Sequence, residues 1–421
     1  MGNNVFEAVF IDNSKCIGCV NCMKRCPTKA IRIVKGKAVV DHSRCIGCGE
    51  CVRICQKKAV YPNFDYFDII KQKTFKYKIA LVSPAYFGQF NTAKSADYLL
   101  SALLKIGFDD VYETARASKM LSLLTLDEMR QGKLPKPCIS TSCPVCVELI
   151  LMCFHDLKKN LAPYIPAAHV AAKKAREEAV KKTGLKPDEI GVFFLSPCPA
   201  HANAIRQELY KSDCGIDGVL SLKEVSLKVM NVKITDEDKK ISCVAGAADI
   251  LTAVVGGEVK NIGSNRALAV DGIENVISAL KELEDGKLPS VEFIELNACP
   301  GGCVSGVMTI ENGYFAKSTM IRLKKEDLKN KTNVTDSVDE PAEYYKCPDE
   351  WQVNDAYYQL DKDFKQAFEK MRVLEQVKAH LPGFDCGMCG APSCKDFAED
   401  VAKGKADIKR CIKYRIDKDK E

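Results

Sequence analysis

Histidine is scarce in this chain: five residues in 421, standing singly at positions 42, 155, 169, 201 and 380. Zinc sites built on histidine pairs are therefore not expected. No run of about 18 apolar residues occurs, so no membrane-spanning helix is expected. The opening stretch MGNNVFEAVF lacks a basic segment followed by an apolar one. It gives no reason to expect a signal peptide, and the expected location is cytoplasmic. Neither nucleic acid nor membrane insertion is expected among the partners. Hydrophobic residues make up 46% and charged residues 28%, ordinary values for a folded chain. A length of 421 residues exceeds one ordinary core, so two or three domains are expected.

Cysteine is what the chain has in excess. There are 22, most of them in tight clusters. Without a secretory signal such clusters read as metal ligands rather than disulfides. Ligation rich in thiolate and poor in histidine suits iron–sulfur clusters. CIGCVNCMKRCP starts at Cys16 and CIGCGECVRICQ at Cys45, an internal repeat. Each follows the C-x2-C-x2-C-x3-C run that binds 4Fe–4S clusters, with Gln56 in place of the usual proline in the second. In two-cluster ferredoxins the fourth cysteine of each run serves the other cluster. One cluster is thus expected on Cys16, Cys19, Cys22 and Cys55, the other on Cys45, Cys48, Cys51 and Cys26. Two zinc knuckles are the weaker alternative. Residues 1–78 hold 15 Lys and Arg against 6 Asp and Glu, a balance of +9 in a chain of net charge +6. The excess either offsets the negative clusters or docks an acidic electron carrier such as a ferredoxin.

From Lys78 the texture changes. KIALVSPAYF reads as a buried strand ending at Pro84, followed by a helix capped by Thr92 or Ser95 and stopped at Gly107. Ala96, Leu99, Leu100, Leu103 and Leu104 form its apolar face. GVFFLS (191–196), ALAV (267–270) and VEFIEL (291–296) read as further strands. Their alternation with helices predicts an α/β domain, in which ligands collect at the carboxyl ends of strands. Cys198 and Cys299 fall just after strands. The expected layout is a two-cluster ferredoxin-like domain at 1–77, the α/β domain at 78–321, a polar linker at 322–353, and a helix with a small helical cluster domain at 354–421.

Two resemblances add to this reading. LPGFDCGMCGAPSCKDFAEDVAKGKAD, with Cys386, Cys389, Cys394 and Cys411, resembles the small 4Fe–4S domain of several anaerobic electron-transfer proteins. STSCPVC (140–146), LSPCPAH (195–201) and ELNACPGGC (295–303) resemble, in this order, the three signature segments of the FeFe-hydrogenases. The resemblance spans roughly residues 78–310 and includes VSPAYF and LLKIGFDDVYET. It implies a fourth cubane on Cys143, Cys198, Cys299 and Cys303. Cys303 would also bridge to a two-iron subcluster carrying CO, cyanide and a dithiolate, together the H-cluster. The glycines of CPGGC would let the backbone approach the inorganic group. Ser83, Pro84, Ala85, Ser196, Pro197 and Asn297 match positions beside the two-iron group.

This sequence also departs from the family pattern. Ser142 stands where the family has a proton-relaying cysteine, His201 where a lysine contacts a cyanide, and Ala204 where a glutamate is usual. Asn297 replaces a methionine. With the relay gone, Glu295 is the one nearby acid the sequence offers for a proton path. Such changes, with the appended cluster domain, resemble the divergent branch to which a sensory role is ascribed. The resemblance implies reversible reduction of protons to hydrogen, slow or used for hydrogen or redox sensing, with a signalling partner. The rival is a non-catalytic scaffold or electron carrier lacking the two-iron group. Cys138, Cys146, Cys153, Cys214, Cys243 and Cys347 read as small buried hydrophobes.

Overall fold

The structure, a computed structural model, describes residues 6–93, 95–210, 215–233, 235, 238, 241–246, 248–326, 338, 340–347, 351–354 and 357–418. The two halves of the repeat fold alike. Strand β1 (Val9–Ile11) leads to helix α1 (Asn21–Arg25), hairpin strands β2 (Ile31–Val34) and β3 (Lys37–Val40), helix α2 (Glu50–Ile54) and strand β4 (Val60–Pro62). β4 returns antiparallel to β1. The expected hairpin turns through Lys35 and Gly36, at φ 49° and 74°. A two-residue turn needs this left-handed pair to match strand twist.

The chain enters its α/β unit at Asn63, earlier than the expected boundary at 77. Phe67 is buried there, edge-on to Phe108 at 6.0 Å. The unit contains β5 (Tyr77–Val82), α3 (Ala96–Lys105), β6 (Asp110–Glu113), α4 (Thr114–Arg130), β7 (Cys138–Ile139), α5 (Pro144–Cys153) and α6 (Ala167–Thr183). β8 (Ile190–Ser196), α7 (Ala200–Arg206), β9 (Gly218–Ser221), α8 (Leu222–Met230) and α9 (Gly257–Ile262) follow. Then come β10 (Ala267–Asp271), α10 (Ile273–Glu284), β11 (Phe293–Asn297), α11 (Gly313–Glu326) and α12 (Ala342–Tyr345). One parallel sheet has the order β6-β5-β8-β9, a second β10-β11-β7. β8 is buried at every position, as a parallel strand covered on both faces must be. Ser95 caps α3 by accepting from the Tyr98 amide at 3.1 Å, and Gly107 ends it at φ 114°.

The stretch expected as a linker is only partly one. Residues 327–337 lie outside the described residues. Beyond them Tyr345 is fully buried, its carbonyl accepting from the Ile165 amide at 2.9 Å. Trp351 stands edge-on to Tyr210 at 5.6 Å. These contacts tie the end of the stretch to the α/β unit, Asn63–Gln352.

The chain then rejoins its beginning. Val353–Glu421 forms one compact unit with Met1–Pro62. Helix α13 (Phe364–Ala379) starts ten residues later than expected, at Asp363, whose carboxylate accepts from the Gln366 amide at 2.9 Å. α14 (Cys394–Ala402) and α15 (Ile412–Lys418) complete the segment.

Phe193 on β8 is fully buried, edge-on to Phe75 at 5.5 Å and tilted over Phe108 at 6.3 Å. Phe193→Ala should lower stability by about 3–5 kcal/mol through lost transfer energy and a cavity. A drop in the unfolding midpoint of the α/β unit checks this; an unchanged midpoint would show that the ring is not packed as described.

Candidate metal centre

The thiols of the repeat gather in two groups. Burial pushes the Cys22 thiol up to about 11, and its neighbours Cys19, Cys16 and Cys55 add to the shift. Cys48 and Cys51 are raised further, first by burial and then by Cys26 and Cys45; Cys51 also raises Cys48, and Cys22 raises Cys51. A small cavity lined by Cys26, Cys45, Cys48 and Cys51 lies between them. Amides already point at the sulfurs: Ala30 N lies 3.2 Å from Cys26 Sγ and Ala59 N 3.2 Å from Cys55 Sγ. Such donors favour thiolate and tune bound clusters. In the C-terminal segment Cys389 is raised by burial and by Cys411 and Cys386, and Cys394 opens α14. All described cysteines are free thiols.

The third thiol group is built by the sheets. β7, β8 and β11 all run parallel to their neighbours and deliver Cys143, Cys198 and Cys299 just beyond their carboxyl ends. Cys303 follows in a short helical turn. Burial, then Cys143, Cys198 and Cys299, raises the Cys303 thiol far above its ordinary value. Cys198 is raised by burial, Cys299 and Cys143. Cys143 moves the other way, to about 7, because the Cys146 thiol donates to it. Cys146 is buried as expected but stands within the sulfur group rather than apart from it. Four half-buried thiols crowded together fit a cationic iron–sulfur core, which would neutralise them. Among the described residues no three ligands converge on one metal ion. A cubane does not require that, since each sulfur binds its own iron at a separate corner.

Gly302 of CPGGC, and Gly306 just beyond it, pack tightly against protein backbone. Gly302 has φ 97°, and a Cβ there would lie 2.6 Å from the Ala253 carbonyl oxygen. At Gly306 a Cβ would strike the Pro197 carbonyl. These glycines bring loop against loop, and the packed loops then hold the sulfurs.

A cavity of about 100 Å³ opens beside Cys303. Ser83, Pro84, Ser142, His201, Asn297, Glu258 and Glu295 all line it. Ala85, Ser196 and Pro197 do not. Ala85 is buried and donates its amide to Ser83 Oγ at 3.4 Å. Ser196 Oγ donates to the Cys198 carbonyl at 2.8 Å, bracing the ligand loop. The His201 ring lies edge-on to Phe194 at 4.9 Å, and burial lowers its pKa to about 4, so it is neutral at ordinary pH. Ala204 is buried on α7 away from the cavity lining.

Two acids, Glu295 and Glu258, line the cavity. Glu295 accepts from the Gly256 and Val259 amides at 2.9 and 3.0 Å and from Asn297 Nδ2 at 2.8 Å. It anchors the start of α9. Glu258, on that helix, faces Ser140 and Ser142: Ser140 Oγ donates to its carboxylate at 2.7 Å and Ser142 Oγ at 3.2 Å. Burial and the charge of Glu295 raise Glu258 to about 7. Sequence reasoning misses Glu258 because it lies far along the chain from any cysteine segment. Its only mark is Gly256-Gly257, which announces a helix start.

The remaining cysteines divide between the expected role and others. Cys138 is fully buried, as a small hydrophobe should be. Cys243 Sγ donates to buried Glu113 at 2.8 Å, a polar role. Cys153 and Cys347 are half-buried, and Cys214 lies outside the described residues.

Residues 76–262 and 225–307 match the family model described as the iron only hydrogenase large subunit, C-terminal domain. Residues 8–56 match a 4Fe-4S dicluster domain and 381–413 an Fe-S cluster domain. The periplasmic Fe hydrogenase large subunit of Nitratidesulfovibrio vulgaris is 26% identical over 364 residues, covering 71% of this chain and 85% of that one. A component of the ion-translocating oxidoreductase complex of Thiobacillus denitrificans is 51% identical over 39 residues, 9% of this chain; the match spans only 21% of that component. Among solved structures, an FeFe-hydrogenase from Chlamydomonas reinhardtii aligns at 14% identity and TM-score 0.49, covering 68% of this chain and 96% of that one. The family match runs through every segment that supplies the third thiol group and most of the cavity wall, and the chain belongs to the iron-only hydrogenase large-subunit family.

Proposed function

We propose that this hydrogenase-like iron–sulfur protein catalyses the reversible conversion of two protons and two electrons to hydrogen, at a slow rate suited to hydrogen or redox sensing. The observation that carries the reading is the polar cavity beside Cys303 with a carboxyl that titrates near neutrality. Four cubanes are proposed, on the sulfur groups described above. A two-iron group held through Cys303 would supply the centre at which protons and electrons combine. Everything else falls to the protein.

Glu258 gains and loses its proton at about pH 7 and sits within hydrogen-bond reach of Ser142 Oγ, 3.2 Å away. A serine hydroxyl is too weak an acid to carry charge, so Ser142 passes a proton on as it receives one. That concerted transfer is slower than relay through a thiol, in keeping with low turnover. Neutral His201 donates one N–H without adding charge. Phe194 and Tyr164 help to exclude water. A ferredoxin-like acidic carrier and a signalling partner complete the proposal. Among the described residues no helix is long and apolar enough to cross a membrane.

The second reading, a scaffold or carrier without the two-iron group, is favoured by Ser142, His201 and Ala204 at the divergent positions. Infrared spectroscopy separates the two. The anaerobic protein is loaded with its clusters, treated with a synthetic two-iron precursor and desalted. Sharp CO and cyanide bands that shift under hydrogen support the enzyme. Full cubane content with no surviving bands leaves the scaffold.

Glu258 gives a second test. Hydrogen evolution should fall as pH rises through about 7, where the carboxyl loses its proton. Glu258→Gln should remove that step and lower the rate by roughly 10²-fold or more, the usual contribution of a proton-transfer group. Unchanged turnover would exclude the route. Stability follows the same proton. The folded-state pKa is raised, so the favourable term is complete below the ordinary carboxyl range and is lost as pH rises to about 7. Glu258→Gln should therefore stabilise the protein at pH 8 by about 1–2 kcal/mol, allowing for screening by cavity water, and flatten the pH dependence.

A further inference from the structure

The unit formed by Met1–Pro62 and Val353–Glu421 carries thiol groups from both ends of the chain. Its N-terminal part is the strongly basic stretch of the sequence. Those cations meet acids of the C-terminal part. Arg32 Nε lies 2.6 Å from Asp400, Lys29 Nζ 3.2 Å from Asp396, and Arg44 pairs with Glu399. All three acids stand on α14, the helix that Cys394 opens. The Arg32, Arg44, Glu399 and Asp400 side chains are each 18% exposed or less, so the pairing is fixed in place rather than loosely solvated. Main chain joins main chain as well: the Ile33 amide donates to the Gly390 carbonyl at 2.8 Å.

The contact runs up to the ligands. Lys24, between Cys22 and Cys26, donates its ammonium to the Asp385 carbonyl and to the Pro392 carbonyl at 2.7 Å. Asp385 and Pro392 flank the loop that holds Cys386 and Cys389. Gly387 lies between those two cysteines at φ 80°, and a Cβ there would lie 2.9 Å from Lys24 Cε and 3.1 Å from Met23 Cε. Met23 is fully buried and adjoins Cys22. On each side the residue in contact is the direct chain neighbour of a ligand.

We propose that the C-terminal cluster is the built-in redox partner of the ferredoxin-type part, exchanging electrons with the cluster of Cys16, Cys19, Cys22 and Cys55 across the Met23–Gly387 contact. This rests on the four-cubane reading. Each step moves one electron: one cluster is oxidised by one, the other reduced by one, and no bond or proton changes. Part of the basic surface is thus met by acids of the same chain. Lys24 is a positioning residue whose charge favours the reduced, more negative state of the C-terminal cluster.

The test uses the full-length, fully loaded protein, reduced anaerobically and read by electron paramagnetic resonance with a redox titration. Glu399→Lys combined with Asp400→Lys should detach the segment and remove part of the spin–spin broadening at unchanged iron content. Lys24→Met keeps the ion pairs and should shift the midpoint of the C-terminal cluster downward, by more than those of the ferredoxin-type clusters, because the ammonium sits on the Asp385 and Pro392 carbonyls. Identical spectra for wild type and the charge-reversed variant at full iron content, or an unmoved midpoint in Lys24→Met, would overturn the proposal. Iron and sulfide short of four cubanes in the wild type would instead remove the reading on which it stands.

Discussion

Repulsion between buried sulfurs governs this molecule. Burial and the neighbours Cys143, Cys198 and Cys299 make ionisation of Cys303 costly, while a hydrogen bond from Cys146 eases that of Cys143. Such crowding is tolerable only for neutral thiols or around a cation. The fold creates it by aiming the carboxyl ends of parallel strands at one place and packing glycine loops so that no side chain intervenes. The same condition recurs in the ferredoxin-type repeat, where Cys48 and Cys51 are raised by burial and by their sulfur neighbours. Metal binding is therefore coupled to ligand deprotonation and to the final packing of the loops.

Beside this sulfur group Ser142 is hydrogen-bonded to a buried carboxyl, that of Glu258. A thiol can hold or release a proton near neutrality, and a serine hydroxyl cannot. With Ser142 in that place, the group raised toward neutrality lies one hydrogen bond away, at Glu258. Glu295 makes this possible twice over. It pins the start of α9, which positions Glu258, and its charge raises the proton affinity of its neighbour. An acid that looks catalytic in the sequence is the support for one that does not.

What the sequence reveals follows from local pattern. The cysteine runs, the Lys35-Gly36 turn, the Ser95 cap and the apolar strand 191–196 are each decided by residues within a few positions of one another. Ser142 can be named for the same reason, because it sits inside a short signature. Glu258 cannot: its relation to Ser142 spans 116 positions and exists only once two sheets have formed. The boundary at Asn63 is hidden for a similar reason, since Phe67 finds Phe108 only in the folded unit. Loop glycines are legible as necessary, but not the backbone they approach.

The first 62 residues and the last 69 share one unit, while Asn63–Gln352 is continuous. Synthesis from the N-terminus therefore presents the basic hairpin long before its acidic helix exists. The whole α/β unit leaves the ribosome in between. Until α14 emerges, Arg32 and Arg44 remain open to water and to any acidic protein nearby. Closure of the hairpin thus waits until α14 has been made, and a product truncated before residue 394 would carry an unmasked patch of positive charge.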